Sequence, residues 1–393
     1  MISTNEDILV FKKPSILMLA ACPFPTSQGT QVMIRHLVNC MTDRGFNVKL
    51  LTYNFGDFKG HTKSNRSGPS FKKLLLDLYL LVKALHAKYH QQFEVIHAHG
   101  FEALALGLLL KKILHVPLIY HAHSALGLEL PTYFKLSSIT SFAGFAGRVF
   151  DNTLPRLADA VIVFDSHQRA LYQSFGVAKE KIFTIPPGIN AADLGELDPI
   201  IKADIAKKLG RGPWIIYTGN PDAYQNLPLL YQTIQILRHQ LPAVRLLIAS
   251  HHDEEQFLKT HQYIAVRDRV DFYQYSSQSE IRALIALATV GVCSRIMHAG
   301  APIKVLNYLA TGIPVVACHA GAQHLVSNKC GRLVDANPMA MAQGIVEVFK
   351  TINQVDYATE CKKAYARFDI TQHISRYADL YMRVTLMKGS KKK

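Results

Sequence analysis

Apolar residues along the chain fall in short unbroken runs separated by stretches with helical spacing. Residues 15–21, SILMLAA, are almost continuously apolar, as a central parallel strand buried on both faces requires. A turn-rich loop over 23–30 follows, and then Val32, Ile34, Leu37, Val38 and Met41 recur at helical spacing over 31–44. Residues 48–53 predict the next strand, and ADAVIVFDSHQRALYQSFGV and KIFTIPPGIN predict two later ones. After Asn190 the pattern breaks into a polar helix ending at Leu209, and a second series begins at PWIIYTGN. It predicts strands over 214–217, 244–249, 270–273, 290–293 and 313–317, with helices such as 228–240 and 278–288 between them. The fold class is therefore α/β, with two successive parallel-sheet domains at 1–190 and 191–369, then a long amphipathic helix over 370–387 and a basic tail within 370–393. Ligands are expected at the carboxyl edges of the sheets.

The stretch SRIMHAGAPIKVLNYLATGIPVVA, 294–317, organises the second series. Ala299, Gly300, Ala301 and Pro302 form a loop, an apolar helix runs from 303 to 310, Gly312 stops it, and a buried strand follows. The first turn of such a helix offers unpaired N–H groups and the positive end of its dipole, which together suit an anion. Lys304 sits in that turn, where a cation opposes the dipole, so phosphate binding stands beside the plainer reading of a solvated lysine. Gly29, before the first helix, has a similar pair of readings: close approach of a substrate to the backbone, or relief of a tight turn.

EVIHAHG and PLIYHAHSALG each end a β-rich run with two histidines at alternate positions, His97 and His99, then His121 and His123. Alternation puts each pair on one face at the carboxyl end of its strand. Four converging histidines raise zinc as one reading. No carboxylate or cysteine accompanies them, and the expectation is binding of substrate phosphate or hydroxyls, with no metal.

Composition narrows the class. The chain has 393 residues with a formal net charge of +15, which points to a polyanionic partner: an anionic membrane surface, a nucleic acid or phosphate-bearing substrates. No aromatic-plus-basic recognition pattern appears, so nucleic acid is not expected. The six cysteines are scattered without a CxxC pair, as small core residues of a reducing compartment are. The N-terminal segment carries Glu6 and Asp7 ahead of a short apolar run, the wrong order of charge for a signal peptide, and a cytoplasmic location is expected. The longest apolar stretch, 103–120, is broken by Lys111, Lys112 and His115, so any membrane contact is peripheral. A helix over 71–89 has a basic face of Lys72, Lys73, Lys83 and Lys88, which suits either solvent or an anionic membrane, and 61–69 is a polar surface loop.

With these motifs in their observed order, PFPTSQGTQVMIRHL, VIHAHG with LIYHAHS, ADAVIVFDSHQRALYQSFGV, IFTIPPGIN and above all GAPIKVLNYLATGIPVVA, the chain resembles retaining glycosyltransferases of family 4, which have two facing Rossmann-like domains, the GT-B arrangement. The resemblance spans nearly the whole chain. It implies transfer of a sugar from a nucleotide-sugar, bound mainly by the C-terminal domain, to a lipid or glycan acceptor held by the N-terminal domain. It also implies retained anomeric configuration, no cofactor or obligatory metal, and a last helix crossing back onto the first domain. His123, Gly29 and Lys304 are then the catalytic candidates. Donor-binding candidates are Gly219, Asn220, Gln225, Arg295, Gly300, Ala301, Pro302, Ile303 and Asn307, and acceptor-binding candidates are Gln28, Thr30, His99 and His121. Two glutamates usual in the family are replaced by Ala299 and Asn307, and its phosphate-binding arginine and lysine by Asn220 and Gln225. Lys304, Arg295 and the helix N–H groups are the remaining donors for a leaving diphosphate. A nucleotide-sugar epimerase of the same fold, and an inactive ligand-binding homologue, are the alternative functions.

Overall fold

A computed structural model describes residues 12–26, 29–53, 70–134, 136–192, 197–210, 212–258, 261–296 and 301–390. The expected polar loop at 61–69, the last residues of the basic tail, Gln28, Ala299 and Gly300 lie outside them.

The first sheet contains β1 (Ile16–Ala20), β2 (Val48–Leu51), β3 (Val95–His99), β4 (Leu118–His121), β5 (Ala160–Val163) and β6 (Ile182–Thr184). Their order is β2-β1-β3-β4-β5-β6, and all neighbours are parallel. The helices between them are α1 (Gly29–Asp43), α2 (Phe71–His90), α3 (Gly100–Leu114), α4 (Leu126–Glu129), α5 (Ser137–Thr153) and α6 (Ser166–Ser174). The second sheet contains β7 (Trp214–Thr218), β8 (Arg245–Ser250), β9 (Val270–Gln274), β10 (Val290–Cys293), β11 (Val315–Cys318) and β12 (Gly331–Val334). These are also all parallel, in the order β12-β11-β10-β7-β8-β9. Around them lie α7 (Pro199–Leu209), α8 (Leu227–Gln240), α9 (His261–Ile264), α10 (Gln278–Leu287), α11 (Ile303–Thr311), α12 (His319–Ala322), α13 (Pro338–Thr351) and α14 (Tyr357–Ala366). The chain ends in α15 (Ile370–Ser390).

Continuous apolar strands form this way because a parallel sheet is covered on both faces, and in β1, β3, β4 and β7 every residue is buried. β12 was not anticipated, because Gly331-Arg-Leu-Val is too short and too polar to stand out from its flanks. Helix α11 stops where the sequence predicts: Gly312 takes the left-handed conformation at φ 86°, and its N–H returns to the carbonyls of Tyr308 and Leu309.

Two details position the site. Helix α15 returns to the first domain, where Ile374, Tyr377, Leu380, Tyr381 and Val384 share a core with α1 and the near face of β1, β3 and β4. The chain crosses between domains twice, and the crossings touch: Ile189 and Asp369 form a parallel bridge, in which Ile189 N–H donates to the Phe368 carbonyl and Ile370 N–H to that of Ile189. Tyr365 also donates its hydroxyl to the Ile189 carbonyl, 2.6 Å away.

Helix α2 differs from its sequence reading. Its exposed side is chiefly apolar, with Phe71 76%, Leu75 54%, Leu78 58% and Val82 56% exposed, while only Leu80 and Ala84 are fully buried. Lys72 and Lys88 flank this row, and Lys73 is drawn away to Glu102 at 2.9 Å.

Candidate active site

The carboxyl edges of the two sheets face each other. Helix α1 starts against the start of α11: a Cβ on Gly29 would lie 3.1 Å from Cβ and Cγ1 of Ile303, so the glycine lets the two helix termini close together. Val32 and Met33 of α1 join the core of the second domain. Thr30, beside Gly29, is exposed. Ala301 and Pro302 line a cleft with Phe164, Asp165 and His167 from the first domain and His324 from the second.

On the second domain Gly219, Asn220, Gln225 and Lys304 form one cluster. Gly219 ends β7 at φ 136°, and a Cβ there would come 3.2 Å from Lys304 Nζ. Lys304 donates to Gln225 Oε1 at 2.9 Å and lies 3.9 Å from the centre of the Tyr217 ring. Gln225 donates to Asn220 Oδ1 at 3.3 Å, and Asn220 donates to Asp222 at 2.6 Å. Ser294 pins the turn from below by donating to the Gln225 carbonyl at 2.6 Å. Arg295, 8% exposed, stacks over Tyr224 at 4.8 Å. Burial pushes the Lys304 ammonium down to about 7, and Arg295 pushes in the same direction. Asn307 lies one turn further along α11, and its Oδ1 is buried without a hydrogen-bond partner, an acceptor suited to a hydroxyl.

Tyr217, Tyr224 and Tyr308 were missed by sequence reasoning. Tyr308 accepts the Thr218 N–H at 2.9 Å and so ties α11 to the end of β7. The nearest signal was three tyrosines at strand ends or on the loop helix, which periodicity alone assigns to the core. Glu129 was missed as well: it accepts the Tyr133 hydroxyl at 2.6 Å from within the first domain, and its charge helps raise the Tyr224 phenol, after burial and Asp222.

On the first domain the histidines share one face. His99 pairs with His121 in register, the rings of His97 and His121 meet tyrosines of α15, and His99 lies beside both. His97, His99 and His121 are essentially buried, and His123 is half-buried. His99 Nδ1 lies 3.2 Å from His123 Nε2. Burial holds all four rings far below the usual imidazole range, with His97 and His123 at about 3. They are therefore neutral donors and acceptors at physiological pH. The loop carrying His123 is braced by Gln168, which donates to the Ala122 carbonyl at 3.0 Å, and by Tyr172, which donates to that of Ser124 at 3.1 Å. His121 has no open path to an acceptor, since it packs under His123 against Phe164 and Tyr377.

Residues 27–193 match the family model Glycosyltransferase Family 4, and residues 212–351 match Glycosyl transferases group 1. The chain is a glycosyltransferase of family 4, group 1. A search of curated proteins finds no match to this glycosyltransferase. Its fold is similar to that of HepE from Anabaena in complex with UDP and glucose, with a TM-score of 0.70 at 17% identity over 94% of this chain and 100% of that one. Sucrose-phosphate synthase from Thermosynechococcus elongatus is similar at TM-score 0.73 and 19% identity, over 95% and 100%. WaaG, a glycosyltransferase involved in lipopolysaccharide biosynthesis, is similar at 0.68 and 15%, over 93% and 99%. At these identities the likeness carries the GT-B fold of the glycosyltransferase and nothing finer. No described helix is long and apolar enough to cross a membrane.

Proposed function

We propose that this glycosyltransferase moves a hexosyl group from a nucleoside-diphosphate sugar to a lipid or glycan acceptor, with retention of configuration. The observation that carries this reading is the placement of Lys304. It reaches across to Gln225, the position where the family's usual lysine stands, so a cation from α11 replaces one from the loop after β7. With Arg295 it flanks the turn at Gly219 and Asn220, where the diphosphate would lie, and Asn307 Oδ1 offers an acceptor to a donor hydroxyl. In transfer, the bond from the sugar's anomeric carbon to phosphate breaks as the acceptor oxygen bonds to that carbon. The acceptor proton passes to the departing diphosphate, whose charge Lys304 and Arg295 neutralise without a required metal. His123, neutral and partly exposed, hydrogen-bonds the transferred sugar. HepE, caught with UDP-glucose in one structure, supports a uridine donor as the first to try.

The test is a thermal-shift series against nucleotide-sugars, followed by product analysis of the best donor with lipid extracts and with no acceptor. Transfer with the anomeric configuration unchanged is expected only when acceptor is present. Conversion of the donor alone would instead identify an epimerase, and no shift with any nucleotide-sugar would leave a ligand-binding homologue.

The acceptor side faces a membrane in this proposal, with the protein cytoplasmic and peripheral. The apolar row of α2, with Lys72 and Lys88 beside it and Phe142 and Phe145 exposed on α5, suits the surface of an anionic bilayer on a chain of charge +15. Leu75→Glu with Leu78→Glu removes two inserting side chains, each contributing about 1.5–3 kcal/mol when fully buried. Binding to phosphatidylglycerol vesicles, measured by sedimentation, should drop by roughly 100-fold or more, and wild-type binding should weaken as salt rises. Equal sedimentation of the variant and wild type would remove the membrane from the proposal.

A further inference from the structure

The histidines at the ends of β3 and β4 hold more than the transfer reaction uses. Of the four, only His123 is partly exposed. Behind it His97, His99 and His121 are 0%, 5% and 0% exposed, and His97 Nε2, His99 Nε2 and both ring nitrogens of His121 have no hydrogen-bond partner. A buried polar nitrogen left unpaired is costly, and three such rings side by side are rarer than one. One candidate ligand nitrogen from each lies within 4.8 Å of the others.

We propose that His97, His99 and His121 form a buried site for one divalent transition-metal ion of the zinc class, oriented from outside by Tyr381 and His123.

The hydrogen bonds around the cluster are compatible with the tautomers that such a site needs. His97 Nδ1 is 2.7 Å from the Tyr381 hydroxyl, and with Nδ1–H donating there, the lone pair of His97 falls on Nε2. His99 Nδ1 is 3.2 Å from His123 Nε2, and with Nδ1–H donating to it, the lone pair of His99 also falls on Nε2. His121 is free to offer either nitrogen. Metal-binding imidazoles are held in this manner, with the second nitrogen bonded to an outer partner that sets the tautomer and the ring angle. An all-imidazole set suits zinc, cobalt, nickel or copper and does not suit magnesium or calcium, which take oxygen ligands. The three rings are 12–36° from parallel, so closing onto one ion requires them to turn about Cβ–Cγ, a soft torsion in histidine. Tetrahedral zinc at about 2.0–2.1 Å would bring the nitrogens together and leave a fourth position for water.

The site lies on the first domain alone and does not depend on the donor reading. It bears on His123: an ion on His99 Nε2 fixes the Nδ1–H that faces His123, so the His123 imidazole keeps its proton on Nδ1 and its Nε2 as an acceptor.

The full chain is stripped with chelator and titrated with zinc, and separately with cobalt, reading bound metal after equilibrium dialysis and the visible spectrum of cobalt. One ion per chain and a tetrahedral cobalt spectrum are expected. His97→Gln should weaken zinc binding by at least roughly tenfold, and Tyr381→Phe, which keeps all three imidazoles, should do so by about tenfold through loss of the outer hydrogen bond. Circular dichroism and the nucleotide-sugar thermal shift check that the variants are folded, and if His97→Gln does not fold, Tyr381→Phe decides. Failure of the wild type to retain zinc, or affinity unchanged in the folded variants, overturns the site and leaves the proposed transfer reaction untouched.

Discussion

Replacing Lys304 by methionine is expected to lower kcat/KM for the nucleotide-sugar by about two to three orders of magnitude, the usual cost of losing one prepositioned donor to a developing anion. Methionine keeps the apolar part of the side chain over Tyr217, so the loss reports charge more than packing. A wild-type rate in Lys304→Met would show that the ammonium does not meet the donor phosphates. Because Lys304 and Gln225 touch, the pair can be exchanged. Lys304→Gln combined with Gln225→Lys returns the cation to the loop after β7 and should recover at least tenfold over Lys304→Gln alone. The pH profile gives an independent reading. Burial lowers the Lys304 pKa to about 7, so the free enzyme carries the charge below that pH and loses it above. Donor kcat/KM should therefore fall as pH rises through about 7, and this limb should vanish in Lys304→Met. No second limb is expected from His123, which burial keeps neutral down to about 3.

Gly291→Ala is expected to damage both fold and site. Gly291 lies in β10 beneath Tyr308, and a Cβ there would come 2.4 Å from Cδ2 of that ring. The ring has no room to retreat, being fully buried with its hydroxyl accepting the Thr218 N–H at 2.9 Å. Overpacking of this sort costs about 1–3 kcal/mol, a drop in Tm of several degrees for a domain of this size. The strain moves α11 outward, and with it Lys304 and Asn307, so donor affinity should fall along with Tm. Full retention of both, by calorimetry and donor titration, would show that the ring shifts without disturbing the helix.

The strands other than β12 and the loop helix were legible because parallel sheets impose long apolar runs and their crossovers impose helical spacing. The histidine pairs were legible as pairs. Their stacking beneath α15 was not, because Tyr377 and Tyr381 lie nearly three hundred residues away in sequence. Lys304 stood out as a cation at the wrong end of a helix, which is a local anomaly. That it meets Gln225 is a tertiary fact, since the two are 79 residues apart. The apolar row of α2 was hidden by its lysines, because a single helix does not reveal which side its neighbours cover.

The bridge between Ile189 and Asp369 has a mechanical consequence. Two covalent passages held together at one point act as a pin, which resists translation of the domains and permits a swing about it. A swing gives leverage in proportion to distance from the pin. Gly29 and Ile303 meet between the two domains, where small rotations become openings, so in the proposed reaction this contact would part to let the donor in and the spent nucleotide out.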